Sequence, residues 1–86
     1  MIEKIKEKIT KVLPDAEVLA HDPDGRHFEA IIVSESFVGM PLVKQHQLVL
    51  NALKEEMSRD EIHAVALKTY TPAQWQERRK NHGSIS

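Results

Sequence analysis

Five histidines, at positions 21, 27, 46, 63 and 82, are the residues of this 86-residue chain best suited to chemistry. There is no cysteine. That excludes a disulfide scaffold, a Cys-ligated zinc finger and thiol catalysis. An imidazole offers either proton transfer near neutral pH or, in its neutral form, a metal ligand. His63 opens a segment of strand-like composition. Ile62, Ala64 and Ala66 would share one face of it, and His63, Val65 and Leu67 the other. So placed, His63 is either a hydrogen-bonded residue at a sheet edge or a metal or cluster ligand. His21 and His27 flank the turn Asp22-Pro23-Asp24-Gly25. Pairing Asp22 with Gly25 sets His21 opposite Arg26 and Ala20 opposite His27. The two imidazoles then point to opposite faces and make a poor mutual chelate. No H-x-x-x-H pair exists, so the spacing gives little support to an intrachain zinc site.

The remaining polar candidates have bland readings beside the functional ones. His46 follows Leu42 by four residues and Val43 by three, which puts it at the boundary of a helical core face. Tyr70 and Trp75 read as packing anchors rather than stacking platforms for bases. Arg78, Arg79 and Lys80, with Arg26 and Lys68, are either a basic patch or a solvated helix face. A glycine-rich phosphate loop and a nucleophile elbow are both absent, and no carboxylate pair stands out. No enzyme is expected. With 12 Lys and Arg against 13 Asp and Glu, the formal charge is -1, which is unlike a general nucleic-acid coat.

These side chains need a scaffold, and the length fits one small domain. Ile2, Ile5, Ile9, Val12 and Leu13 recur at helical spacing among Glu, Lys and Thr, and Pro14 ends that helix. Residues 18–20 and 28–33 read as strands of an antiparallel hairpin. Pro41 suits a first helical position. From there Leu42, Val43, Val49, Leu50, Leu53 and Met57 mark a second helix. Residues 58–61 break it, and residues 62–67 form a third strand. Thr71-Pro72-Ala73-Gln74 is a capping box that opens a last helix. The order α-β-β-α-β-α implies an α+β fold: a three-stranded mixed sheet with helices packed on one face. Because a helix crosses between strands two and three, those strands should pair in parallel. Residues 1–80 are read as a single domain and 81–86 as a fraying tail. No segment approaches the 18 apolar residues of a membrane span. The charged N-terminus lacks the apolar stretch of a signal peptide. A cytoplasmic protein is the expectation.

Four separated stretches together resemble the BolA family. They are Ser34-Glu35-Ser36-Phe37-Val38-Gly39 with its F-x-G element, Leu42-Val43-Lys44-Gln45-His46-Gln47-Leu48-Val49, Ile62-His63-Ala64, and Lys68-Thr69-Tyr70-Thr71-Pro72-Ala73-Gln74-Trp75. The stretch Asp24-Gly25-Arg26-His27-Phe28 is similar to the short bacterial, IbaG-like branch. The resemblance implies a fold similar to a class II KH domain, although the KH G-x-x-G clamp is missing here. It also implies a non-enzymatic adaptor in iron–sulfur cluster assembly, trafficking or iron regulation, with a monothiol glutaredoxin as partner and a [2Fe-2S] cluster shared between the two. The partner would supply a Cys and a glutathione thiolate. This chain would supply His63 and a hairpin residue, matched best by His27 with His21 in reserve. No cofactor is expected in the isolated chain. Two imidazoles on one iron would make the cluster Rieske-like, with a raised potential. The pairing requires His27 and His63 on one sheet face at neighbouring strands, which a central second strand allows.

Some members of the family are DNA-binding transcriptional regulators, and this is the alternative reading. Its candidate contacts are Lys44, Arg78, Arg79 and Lys80. The family's usual R-H-R reads Gln45-His46-Gln47 here, so two phosphate contacts are missing and binding should be weak. An RNA-binding KH-like module is a third and weaker option. A three-stranded sheet also leaves edges for a homodimer to cover.

Overall fold

The computed structural model describes residues 2–22, 27–59 and 64–85, without the side chains of Ala64 and 81–85. The elements run α1 (Ile2–Val12), β1 (Glu17–His21), β2 (His27–Val33), a 3-10 turn (Glu35–Phe37), α2 (Leu42–Ala52), α3 (Lys54–Ser58), β3 (Ala64–Tyr70) and α4 (Pro72–Ile85). The sheet order is β1-β2-β3. β1 and β2 are antiparallel, and β2 and β3 are parallel across the helical crossover. The expected α+β architecture and strand directions are therefore present.

Alternation along the central strand builds the core. Phe28, Ala30 and Ile32 are buried on one face, where Ile5, Ile9 and Leu13 of the first helical segment and Val49 and Leu53 from α2 and its end cover them. On the other face of β2, His27 and Glu29 are exposed, Ile31 is half-buried and Val33, at the far end, is buried. Val12, one position off the α1 stripe, is exposed.

Three sequence expectations need correction. The hairpin pairs His21 with Glu29 and Ala20 with Ala30, rather than His21 with Arg26. The physical reason is parity. The expected register would have turned Val18 to the face of Glu29 and His27, whereas the observed one sets Val18 beside Ile32 in the core. The turn residues 23–26 lie outside the described residues.

The second correction concerns the long helix, which is broken at Leu53 into α2 and α3. Its buried positions are Gln45, Val49, Leu53 and Glu56, while Leu42 and Val43 are 59% and 67% exposed. Two inward positions are polar, so hydropathy alone places the face about one residue away. The third correction is that β3 continues to Tyr70. Lys68, Thr69 and Tyr70 pair with Ile31, Ile32 and Val33, and the Ser34 N–H donates to the Tyr70 carbonyl at 3.0 Å.

Polar side chains fasten the joints. The Gln45 amide donates to the carbonyls of Met40 (2.8 Å) and Phe37 (3.4 Å), and its oxygen accepts from the Thr69 hydroxyl at 2.6 Å. The Asp15 carboxylate accepts from the Ser34 hydroxyl and the Glu35 N–H, both at 2.8 Å. Those two donors hold its pKa below the ordinary value. Gly39 has φ of 78°, a conformation that a side chain disfavours, and so the F-x-G turn needs its glycine. At α4 the capping box is reciprocal. The Gln74 N–H donates to the Thr71 hydroxyl (3.2 Å), and the Thr71 N–H donates to the Gln74 side chain (2.9 Å).

Glu56 is fully buried and faces the cations Lys8 (3.2 Å), Arg59 (3.7 Å) and Lys4 (3.8 Å). Burial pushes its carboxyl up, but its own backbone N–H and the Lys8 ammonium outweigh that, so its pKa is lowered. A lowered folded pKa stabilises the fold above the unfolded value and ceases to do so as pH falls through the folded one. Glu56→Gln should therefore cost about 1–2 kcal/mol at neutral pH. In urea titrations its stability should converge with that of the parent as the pH drops below 4.5, the ordinary value for this carboxyl.

Candidate functional site

Because the core takes the even positions of β2, His27 and Glu29 are left on the opposite, open face of the sheet. The register adds His21 to that face, directly across from Glu29. His21 and His27 therefore share a face, which corrects the expectation that they diverge. His27 is the first residue of β2, exposed, and in register with Ala64 of β3, the residue that follows His63 in the chain. β2 is central, as a pairing of His27 with His63 requires, but the register sets Ala64 and Ala66 on the face of His27 and Glu29, so the alternation read from the sequence does not bring His63 to that face, against the expectation. His63 itself lies outside the described residues. The open face also holds a shallow groove of about 560 Å³ lined by Leu19, His21, Glu29, Ile31, Ala66 and Lys68.

Among the described residues, no three His, Asp or Glu side chains converge as a metal site. An exposed imidazole at the end of a sheet suits ligation of a group shared with a second protein better than a group enclosed within this chain. The donor set fits such a group in kind: the chain offers imidazole and carboxylate and no thiolate, so the thiolates would come from the partner.

The alternative candidates are distributed differently. Lys44 is exposed on α2; Arg78, Arg79 and Lys80 are exposed on α4. The Arg78 guanidinium lies 5.6 Å from the centre of the Tyr70 ring. Tyr70 and Trp75 pack at 5.4 Å with rings tilted by 38°, and both are half-buried, as anchors should be. Arg78 also lines a groove of about 510 Å³ with Met40, Leu42, Thr69, Tyr70 and Gln74. Lys44 is not among its lining residues. His46 is half-buried at the helix boundary, as its spacing implies.

Sequence reasoning misses two features here. Glu29 stands between the two hairpin histidines, a placement visible only once the register is known. Gln45, a lost phosphate contact on the family pattern, is buried and engaged on three sides. Its signal is its helical spacing from Val49 and Leu53.

Comparison with known proteins gives this arrangement its family. A family model described as BolA-like protein matches residues 3–74. The acid stress protein IbaG of Escherichia coli K12 is 48% identical over 60 residues, covering 70% of this chain and 71% of that protein. The DNA-binding transcriptional regulator BolA of Vibrio cholerae is 43% identical over 51 residues, covering 59% of this chain and 47% of that protein. A solved BolA homologue from Coxiella burnetii superposes with a TM-score of 0.74 at 39% identity, over 88% of this chain and 96% of that one. The chain belongs to the BolA family.

The different environments of the two glutamines on α2 give a direct check. Gln45→Leu should cost about 2 kcal/mol, because it leaves the Thr69 hydroxyl and the Met40 carbonyl without their partner. Gln47→Leu, at an exposed position, should stay within about 0.5 kcal/mol. Thermal unfolding of the two variants measures the difference.

Proposed function

We propose that this chain is a non-enzymatic adaptor in iron–sulfur cluster assembly, trafficking or iron regulation. It works in the cytoplasm and shares a [2Fe-2S] cluster with a monothiol glutaredoxin. His27 and His63 are the ligands from this side, with His21 in reserve. The observation that carries the reading is the exposed His27 at the start of the central strand, one strand away from the residue next to His63. Bound to both proteins, the cluster would supply a redox-active and transferable group. This chain's part is to present imidazoles at an accessible sheet end.

Both histidines can be tested without loss of the fold. His27→Ala and His63→Ala should each keep the far-ultraviolet circular dichroism of the parent. Each should remove the His-ligated signature from the visible spectrum of the reconstituted complex. A spectrum unchanged by both substitutions sinks the ligand assignment. If only His63→Ala acts, the second ligand moves to His21.

A second reading is a DNA-binding transcriptional regulator of the BolA type. It is favoured by the likeness to the Vibrio cholerae regulator and by the exposed cations Lys44, Arg78, Arg79 and Lys80. It is weakened by the burial of Gln45 where the family carries a cation. On this reading duplex binding should weaken steeply between low and moderate salt, and Arg79→Ala should flatten that slope by about one unit. Salt-independent binding, or none at low salt, contradicts it.

A further inference from the structure

β1 is an edge strand. Its five residues, Glu17, Val18, Leu19, Ala20 and His21, pair with β2 on one side only, and no other described strand pairs with the outer side. Exposed edges are templates for strand addition. The composition of this edge is self-complementary. Glu17, Leu19 and His21 point to the open face, all three are exposed, and Leu19 is 42% exposed although apolar.

We infer that a second copy of this chain pairs antiparallel along β1, about a two-fold axis through Leu19. That register sets Glu17 against the partner's His21 and Leu19 against its own copy. It repeats each contact twice, as an isologous interface must. A carboxylate then meets an imidazole N–H at both ends of the seam, and the apolar side chain is covered at its middle. The same row extends inward. His21 is already opposite Glu29, so each imidazole lies between Glu29 of its own chain and the partner's Glu17. The result is a continuous six-stranded sheet in which the grooves floored by Leu19, Ile31 and Ala66 meet across the seam.

The register is also the one that charge favours. Moving the axis by one residue, to Val18 or Ala20, sets Leu19 against Glu17 or His21 and breaks the Glu17–His21 match; moving it by half a residue also brings core-facing Val18 and Ala20 opposite the exposed set. Five residues make a short seam, well under the roughly 1,600 Å² of a standard interface. The pair is therefore weak and populated at high protein concentration. It leaves His27 outside the seam, so it stands or falls independently of a cluster ligated through His27, whereas ligation through the reserve His21 would compete with it.

Sedimentation velocity on the full chain, from micromolar to millimolar concentration, tests this. The parent should shift from monomer toward dimer. Glu17→Lys and His21→Glu should each remain monomeric while keeping the circular dichroism of the parent. Mixed in equal amounts, the two variants should dimerise again. The lysine introduced in one then faces the glutamate introduced in the other, and the second native Glu17–His21 contact is retained. A parent that stays monomeric throughout overturns the inference. So do single variants that dimerise like the parent, which would place the contact elsewhere. So does a mixture that fails to recover, which would rule out the Leu19-centred register.

Discussion

The parity of the central strand is the constraint from which the rest follows. Phe28, Ala30 and Ile32 must face the helices, because a chain this small has one core and they lie at its centre. Once they do, His27 and Glu29 are committed to the opposite face. The same requirement selects the hairpin register, because only an even register keeps Val18 and Ala20 on the core side. His21 is carried to the open face as a consequence. The chemistry-bearing side of the molecule is thus determined by where its apolar side must go.

The polar interior secures what hydrophobic burial leaves loose. Gln45 ties the turn before α2 to Thr69 of β3, and so joins the crossover to the edge strand. Asp15 ties the end of the first helical segment to the start of the 3-10 turn. Glu56 draws α1 and α3 together through its cations. Each acts at a joint between elements, where a small core has few apolar contacts to offer. Asp15 and Glu56 have lowered carboxyl pKa values, so both joints slacken in acid.

Much of this is legible in the residues. Helical periodicity locates α1, the Thr71–Gln74 box opens α4, and the crossover fixes the parallel pairing of β2 and β3. Four local motifs point to the family. What is not legible has a common cause: inward polar residues whose partners lie far away in sequence. Gln45 and Glu56 look like surface residues until Thr69 and Lys8 are brought to them. The hairpin register is missed when a favourable turn, Asp22 to Gly25, is weighed above the parity that the core imposes. The face of His21 is misread with it. His63, which carries half of the proposed ligation, lies outside the described residues.

On the function proposed here, this chain joins a monothiol glutaredoxin around a shared cluster. Anaerobic reconstitution of the full chain with a monothiol glutaredoxin, glutathione, iron and sulfide, followed by visible circular dichroism and native mass, addresses it most directly. A one-to-one complex holding two irons and two sulfides, with a spectrum distinct from that of the glutaredoxin alone, is the predicted result. Two folded proteins that remain separate, with the cluster held by the glutaredoxin alone, would overturn that function.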